Sequence, residues 1–295
     1  MTKGRIKGSL VALVTPMRKD GSVDYEVLAS LLDWHCEAGT AAIVAVGTTG
    51  ESATLNVDEH LEVIRSCISP LQGRIALIAG TGANSTKEAI ELTAAAAGVG
   101  ADACLQVTPY YNRPTQRGLF EHFTAIADAV DVPQILYNVP SRTAVDLHNA
   151  TTLRLAEHPR IVAIKDATGD LARGRELIAA VPEDFAVYSG DDGTAAELIL
   201  AGASGNISVT ANVVPERVAA VCASALAGDV ERTHALNGEL AALNAALFVE
   251  ANPMPVKYAL ERLGRIPRGI RLPMTWPEGE AAAVVDAALA ELGLA

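Results

Sequence analysis

Eight short, continuous apolar runs recur along this chain, and their continuity is what most restricts its fold. They lie at 9–15, 41–47, 74–80, 102–108, 133–139, 161–166, 185–190 and 205–209. A strand with one wetted face alternates apolar and polar residues, whereas a parallel strand covered on both faces has no such alternation. The runs therefore predict parallel β-strands that are buried between other layers.

Amphipathic segments separate these runs and predict the covering helices. Examples are 24–39, 57–71, 85–100 and 118–130, and Ser85 and Glu88 have the spacing of an N-terminal capping box. Each strand and helix pair takes about 25 to 35 residues, and eight such pairs predict an α/β fold, a closed (β/α)8 TIM barrel. An open doubly wound sheet is the weaker alternative, because TPMRKDG follows the first run in place of a glycine-rich dinucleotide turn.

The chain after the eighth run has no strand signal. A helix near 214–227 should close the barrel, and the remainder is helical in pattern. We therefore predict a (β/α)8 barrel over residues 1–227 and a C-terminal helical domain, an extension of the barrel, over 228–295. No flexible linker separates the two, so we expect the extension to pack against the barrel wall.

Composition excludes several classes of partner. The formal net charge is −12, which argues against nucleic-acid binding because neutralising phosphates requires clustered Lys and Arg. The start, MTKGRIKGSL, lacks the apolar region of a secretory signal, and no window approaches the roughly 18 consecutive apolar residues of a membrane span. We expect a soluble, cytoplasmic protein with neither a nucleic-acid nor a membrane partner.

Polar residues follow the predicted strands where a barrel of this kind carries its chemistry, at the C-terminal ends of the strands. Strand 2 ends in GTTGES, strand 4 in TPYYNRP, strand 5 in YNVPSRT, strand 6 in KDATG and strand 7 in SGDD. Because these ends meet at one mouth, hydroxyls, an arginine and a lysine should converge there.

Lys165, at the end of the run IVAIKD, permits two interpretations. It could form an ion pair with Asp166 or another carboxylate at a strand end. Alternatively, burial in an apolar wall lowers the pKa of its ammonium group and makes the amine a nucleophile toward a carbonyl. The neighbouring Tyr and Thr hydroxyls favour the second interpretation, because they can relay protons without adding charge.

Metal and serine-hydrolase chemistry find no support in the sequence. The six histidines have neither HxxxH nor HxH spacing, and GxSxG does not occur. We expect no metal and no cofactor, only a covalent Schiff base on Lys165.

These motifs together resemble the dihydrodipicolinate synthase family of the N-acetylneuraminate lyase superfamily. The resemblance covers essentially the whole chain, from LVTPM near the start to NPMPVKYAL and LRLPMT in the helical tail. It implies a class I aldolase-type lyase that condenses pyruvate with L-aspartate 4-semialdehyde in diaminopimelate and lysine biosynthesis.

The resemblance also implies residue roles. Lys165 would form the Schiff base with pyruvate, and Tyr137 and Thr48 would relay protons. Tyr111 would complete the relay from a neighbouring subunit, within a homotetramer built of tight dimers. Thr49 and the backbone around Ile207 would hold the pyruvate carboxylate, and Arg142 would bind the carboxylate of the semialdehyde.

Many family members are inhibited by L-lysine at the tight-dimer interface. The matching positions here are Ser52, Ala53, His60, Asn84, Glu88 and Tyr110. One position departs from the pattern: lysine-sensitive bacterial members often carry a histidine where this chain has Val57, which cannot donate a hydrogen bond. We therefore expect lysine inhibition that is present but weak.

Two alternatives remain at this stage. A sister lyase acting on N-acetylneuraminate or a 2-keto-3-deoxy sugar acid would share the barrel, the lysine and the tyrosine. Arg142 disfavours it, because a polyol needs hydroxyl-matching groups rather than a guanidinium that binds a carboxylate. A non-catalytic sensor barrel is disfavoured by the intact set of catalytic side chains.

Overall fold

The computed structural model describes residues 6–294, and its centre is a closed barrel of eight parallel strands. Each strand pairs with the next in sequence, and the eighth pairs with the first. The strands are β1 (Gly8–Ala12), β2 (Ala42–Ala45), β3 (Ala76–Gly80), β4 (Ala103–Val107), β5 (Gln134–Asn138), β6 (Ile161–Asp166), β7 (Ala186–Ser189) and β8 (Gly205–Ser208). The predicted TIM barrel is confirmed, with all eight predicted runs as strands.

Several strands end earlier than their apolar runs. The second run was expected to extend to 47, but β2 stops at Ala45 because Val46 takes a left-handed backbone conformation, with φ 48°. A β-branched residue rarely adopts positive φ, so the surrounding structure must impose this turn. It directs the chain into GTTGES at the mouth of the barrel.

Helices surround the barrel in the order that the amphipathic segments predict. They are α1 (Tyr25–Glu37), α2 (Val57–Leu71), α3 (Thr86–Val99), α4 (Gln116–Ala129), α5 (Pro140–Thr143), α6 (Asn149–Ala156), α7 (Leu171–Ala180), α8 (Ala195–Leu200) and α9 (Pro215–Leu226). The reciprocal capping box forms at Asn56 and Glu59, at the start of α2. At the start of α3, the Ser85 hydroxyl accepts a hydrogen bond from the Glu88 N–H at 3.5 Å.

The C-terminal extension consists of α10 (Val230–Ala246), α11 (Met254–Arg262) and α12 (Gly279–Glu291). Helix α10 packs on α8 and α9, which is the predicted packing against the barrel wall. The extension also reaches the mouth of the barrel, where Asn252, Lys257 and Arg271 bond to loops that follow the strands. The predicted boundary at 227/228 falls between α9 and α10, and the division into two domains stays a prediction.

The core lies in two places. Alternate residues of the strands fill the barrel interior, including Leu10, Val44, Ile78, Leu105 and Ile207. The opposite faces of the strands pack against the helices. Among residues 6–294, no helix combines the length and hydropathy needed to cross a bilayer.

The seam between β1 and β8 requires glycine. Gly8 and Gly205 are register partners there, and a Cβ on Gly205 would lie 2.0 Å from the Gly8 carbonyl oxygen. We expect Gly205→Ala to destabilise the protein by about 1–3 kcal/mol or more, because the two backbones must move apart to admit the methyl group. Thermal unfolding would measure this as a lowered Tm.

Gly98→Ala is the matched control for this substitution. Gly98 lies inside α3, and its Cβ would meet nothing within 4 Å. Helix propensity predicts unchanged or slightly higher stability, by up to about 1 kcal/mol. If Gly205→Ala melts at the wild-type temperature, the seam does not depend on the absence of a side chain.

Candidate active site

Lys165 is the penultimate residue of β6, and the barrel buries it. Its exposed fraction is 5%, and it lines a cavity of about 200 Å³ at the C-terminal ends of the strands. Burial disfavours the ammonium form and lowers the pKa of Lys165 to about 8. The negative charge of Asp192 opposes this shift, while the positive charge of Arg142 adds to it. The free-amine fraction at neutral pH is therefore far larger than for an unperturbed lysine.

Asp166 is not the partner of Lys165, although the two residues are adjacent. Successive side chains of a strand point to opposite faces, so Asp166 points away from the barrel interior. Its Oδ2 lies 3.7 Å from Arg173 Nε, and its Oδ1 accepts a hydrogen bond from the Thr168 N–H at 2.9 Å. The ion pair between Lys165 and Asp166 is therefore not formed, and the amine stays at the cavity.

Tyr137 on β5 lies beside the lysine. The two are register partners in the β5–β6 pairing, and Lys165 Nζ is 4.5 Å from the centre of the Tyr137 ring. Burial raises the pKa of the Tyr137 hydroxyl, against the opposing effects of Arg142 and of a hydrogen bond with Thr48. The hydroxyl is thus neutral at physiological pH and able to give or take a proton.

Thr49 and Arg142 also reach this cavity, and Asn252 joins them. The Asn252 side-chain amide donates to Thr49 Oγ1 at 2.9 Å. The guanidinium of Arg142 donates to the Asn252 carbonyl oxygen at 3.0 Å. One residue of the C-terminal extension thereby holds two of the predicted substrate-binding side chains.

Ile207 and Tyr111 are placed differently from the others. The Ile207 side chain is fully buried in the barrel interior, so its backbone is the part available to a ligand, and Val209 lines the cavity nearby. Tyr111 follows β4 with a left-handed φ of 73° and is 91% exposed. It does not line the Lys165 cavity of its own chain.

A second cavity, of about 360 Å³, adjoins the first. Five of the six predicted lysine-binding residues line it, namely Ser52, Ala53, His60, Glu88 and Tyr110. Asn84 does not line it, but its side-chain amide donates to the Tyr110 carbonyl oxygen at 3.3 Å. Val57 lines the cavity and is 55% exposed. The two cavities share four lining residues, Thr48, Val139, Arg142 and Asn252.

Sequence reasoning missed a buried ion pair that supports the mouth. Glu51, in GTTGES, pairs with Lys257 of α11, and both side chains are fully buried. Arg271 adds a backbone N–H bond to Glu51 Oε2 at 3.3 Å. The one sequence signal for this pair was a single charged residue within an otherwise uncharged motif, Glu51 in GTTGES and Lys257 in NPMPVKYAL. Neither motif indicates that the other contains its partner.

The arrangement contains no cluster that resembles a metal centre: within 6–294, no group of three or more His, Cys, Asp or Glu side chains is disposed to hold an ion. What it does offer is a buried amine, a neutral phenol hydrogen-bonded to a threonine, and a guanidinium, all lining a cavity of small-molecule size. Such a set can form and hydrolyse an imine with a small carbonyl compound.

Comparison with known proteins agrees with this chemistry. The family model described as the dihydrodipicolinate synthetase family matches residues 5–292. The chain belongs to that family. The 4-hydroxy-tetrahydrodipicolinate synthase of Cellvibrio japonicus is 62% identical over 270 residues, which cover 92% of this chain and 93% of that protein.

Solved structures of the dihydrodipicolinate synthase family superpose closely on this one. The chloride-inhibited enzyme of Acinetobacter baumannii, complexed with pyruvate, has a TM-score of 0.97 at 57% identity and covers 99% of this chain and 100% of its own. The enzyme of Cyanidioschyzon merolae, with lysine bound, has a TM-score of 0.95 at 41% identity with coverage of 99% and 100%.

The lowered pKa of Lys165 predicts a specific reactivity. Reductive methylation by formaldehyde and a borohydride requires the free amine, so its rate at Lys165 should reach half its maximum near pH 8. The peptide IVAIKDATG is the control, because its unburied lysine should reach half-maximum near pH ~10.4. Peptide mass spectrometry after brief exposure at each pH measures both rates. A half-maximum above about pH 10 in the folded protein would contradict the lowered pKa.

Proposed function

We propose that the chain catalyses the 4-hydroxy-tetrahydrodipicolinate synthase reaction, the condensation of pyruvate with L-aspartate 4-semialdehyde in diaminopimelate and lysine biosynthesis. The observation that carries this proposal is the buried Lys165 amine, with its pKa lowered to about 8, beside Tyr137 in a cavity that Arg142 also lines. Family membership and relatives of that name at about 60% identity support the same reaction. We retain a cytoplasmic location as a prediction.

The first step joins pyruvate to the enzyme. The neutral amine of Lys165 attacks the C2 carbonyl carbon, and the resulting carbinolamine loses water to give an imine. Tyr137 supplies the proton that the departing hydroxyl needs, and Thr48, its hydrogen-bond partner, passes protons to and from it. Because both relay groups are neutral, the relay itself adds no charge beside the protonated imine.

The second half builds the ring. Loss of a proton from the pyruvate methyl group gives an enamine, whose carbon attacks the C4 aldehyde of the semialdehyde. The semialdehyde amine then replaces Lys165 at C2 by transimination, which closes the six-membered ring and releases the lysine amine. One molecule of water is lost overall, in the first imine formation, and no cofactor is consumed.

Substrate carboxylates need donors at both ends of the cavity. We assign the pyruvate carboxylate to Thr49 and the backbone around Ile207, and the semialdehyde carboxylate to Arg142. Asn252 accepts from the Arg142 guanidinium through its backbone carbonyl, which leaves other guanidinium N–H groups for a ligand. The Acinetobacter baumannii relative has been crystallised with pyruvate, which supports a pyruvate site in this family.

We further propose that Tyr111 acts in the cavity of a second copy of the chain. A bulky aromatic side chain held in left-handed backbone and 91% exposed is unusual for a monomer, and a partner subunit would account for both features. The assembly we propose is a homotetramer of tight dimers, in which each tight dimer holds two complete sites.

The sister lyases were the alternative at the sequence level, because they would use the same lysine and tyrosine. Arg142 is the feature that separates the two candidates, since its guanidinium suits a carboxylate and not a row of hydroxyls. The names of the close relatives also favour the synthase.

An assay with two acceptors tests the proposed function. Pyruvate plus L-aspartate 4-semialdehyde should turn over, and pyruvate plus N-acetylmannosamine should not. Borohydride added with pyruvate alone should trap a reduced pyruvyl adduct on Lys165, and Lys165→Arg should abolish both turnover and trapping. Turnover of pyruvate with N-acetylmannosamine but not with L-aspartate 4-semialdehyde would favour the sister lyases. Active enzyme whose Lys165 stays unmodified after borohydride treatment with pyruvate would refute the Schiff base.

We also propose that L-lysine binds the second cavity and inhibits weakly. The Cyanidioschyzon merolae relative has lysine bound, and the cavity here is lined by Glu88, His60 and the phenol of Tyr110. Val57 offers a bound lysine no hydrogen bond, which is the reason for expecting weak inhibition.

Restoring a donor at this position should strengthen inhibition. Val57→His should lower the concentration of L-lysine that halves activity by about two- to tenfold, the value of one added hydrogen bond. Val57→Leu, which adds no donor, is the control and should leave the inhibition curve unchanged. Tight inhibition of the wild type, with no effect of Val57→His, would show that the residue at 57 is immaterial.

A further inference from the structure

The strands that carry Tyr137 and Lys165 each end in one more residue, and these two residues face away from the cavity. Asn138 follows Tyr137 at the end of β5, and Asp166 follows Lys165 at the end of β6. They are register partners, like the pair before them. Whatever holds Asn138 and Asp166 therefore also sets the separation of Tyr137 and Lys165, one residue back along each strand.

Arg173, in the first turn of α7, reaches both strand ends from behind. Its Nη1 donates to Asp146 Oδ1 and Oδ2 at 2.8 and 2.7 Å, and its Nη2 donates to the Leu147 carbonyl oxygen. Its Nε lies 3.7 Å from Asp166 Oδ2. The Arg173 side chain is 18% exposed and that of Asp146 is 36% exposed, so this charge-assisted pair is partly shielded from water.

Asn138 also contacts Asp146 and Leu147. Its side-chain amide donates to Asp146 Oδ1 at 2.8 Å, and its Oδ1 accepts from the Leu147 N–H at 2.9 Å. The Asn138 carbonyl oxygen also accepts from the Ala167 N–H at 2.9 Å, immediately after β6. Arg173 and Asn138 thus converge on Asp146–Leu147 and join the ends of β5 and β6.

We infer that Arg173 is a positioning residue for the reaction, which acts through Asn138 and Asp166 to hold Tyr137 in register with Lys165. The inference rests on the proposed function, because it concerns the proton that Tyr137 gives to the departing hydroxyl when the imine forms on Lys165. Arg173 does not line the Lys165 cavity, so it acts without touching substrate. A displacement of about 1 Å between reacting groups can cost about 10²-fold in rate, which makes such a support consequential.

The guanidinium shape suits this task. Arg173 reaches Asp146 and Leu147, in the loop before α6, and Asp166, the last residue of β6, by presenting several donors in one rigid fork. A lysine at this position would keep the charge, but its single ammonium group could not reproduce both the hydrogen bonds to Asp146 and Leu147 and the charge contact with Asp166. The conservative variant should therefore restore only part of the function.

Arg160 provides a matched control on the same two strands. It directly precedes β6, and its Nε donates to Asp131 Oδ1 at 2.9 Å, while its carbonyl oxygen accepts from the Gln134 N–H at 2.7 Å, at the start of β5. It is thus an arginine paired to an aspartate that joins β5 and β6 at their N-terminal ends. Arg160→Met keeps that backbone bond and removes the side-chain bonds to Asp131 and to the Ala127 carbonyl oxygen, so it perturbs the N-terminal ends of the strand pair and not the ends that carry the site.

The experiment compares Arg173→Met, Arg173→Lys and Arg160→Met with wild type, each below its own Tm. Arg173→Met should lower kcat with pyruvate and aspartate semialdehyde by about 10- to 100-fold. KM for pyruvate should change less than about threefold, because Thr49 follows β2 and Ile207 lies in β8, away from the strand ends that Arg173 supports. Arg173→Lys should recover part of kcat, and Arg160→Met should retain it within about twofold. Borohydride trapping of pyruvate on Lys165 should slow in parallel with kcat.

Several results would overturn the inference. The first is a folded Arg173→Met variant whose kcat lies within about twofold of wild type. The second is a loss of kcat in Arg160→Met equal to that in Arg173→Met, which would indicate a general effect of lowered stability. If Arg173→Met does not fold, the test uses Arg173→Lys and Asp146→Asn instead. The inference then requires that each variant lose at least threefold in kcat while its KM for pyruvate stays unchanged. Failure of the wild type to turn over would refute the proposed function instead, so the two failures are distinguishable.

Discussion

Closure of the parallel barrel is the constraint on which the rest of this structure depends. Because β8 pairs with β1, the sheet has no free edge, and the side chains at alternate positions must fill the interior. The C-terminal ends of all eight strands then lie together at one end of the barrel. A lysine at the penultimate position of β6 is forced into apolar surroundings, and its lowered pKa follows mainly from that burial. The reactivity of Lys165 is in this sense a consequence of the fold.

The mouth of the barrel is held in unfavourable backbone conformations that packing has to compensate. Val46, Glu51 and Tyr111 all have positive φ, which costs non-glycine residues about 1–3 kcal/mol each. Val46 and Glu51 flank the threonines of GTTGES, and the buried pair between Glu51 and Lys257 ties that loop to the extension. Strain of this kind persists only where surrounding contacts determine the conformation, and at Glu51 the buried pair with Lys257 of α11 supplies such a contact.

The extension is therefore more than a cover for the barrel wall. Asn252 bonds both Thr49 and Arg142, so the residues proposed for the two substrate carboxylates depend on one side chain and one carbonyl from outside the barrel. Arg173 plays a corresponding part behind β5 and β6. In both places the groups that touch the cavity are oriented by neighbours that do not enter the proposed chemistry, as a precise constellation requires.

Sequence patterns alone were sufficient to predict the barrel and the helical tail. They also identified several side chains that line the cavity, namely Thr48, Thr49, Tyr137, Arg142 and Lys165, but not Asn252. Continuous apolar runs and their spacing are local properties, and parallel strands bring their ends together whatever the loops do. Contacts between distant residues were decided only by the tertiary structure. Glu51 and Lys257 are 206 positions apart, and no local pattern pairs them. Likewise, the left-handed turn at Val46 and the choice of Arg173 as the partner of Asp166 depend on how loops and helices pack. Strand alternation separates Asp166 from Lys165, but it does not identify the partner on α7.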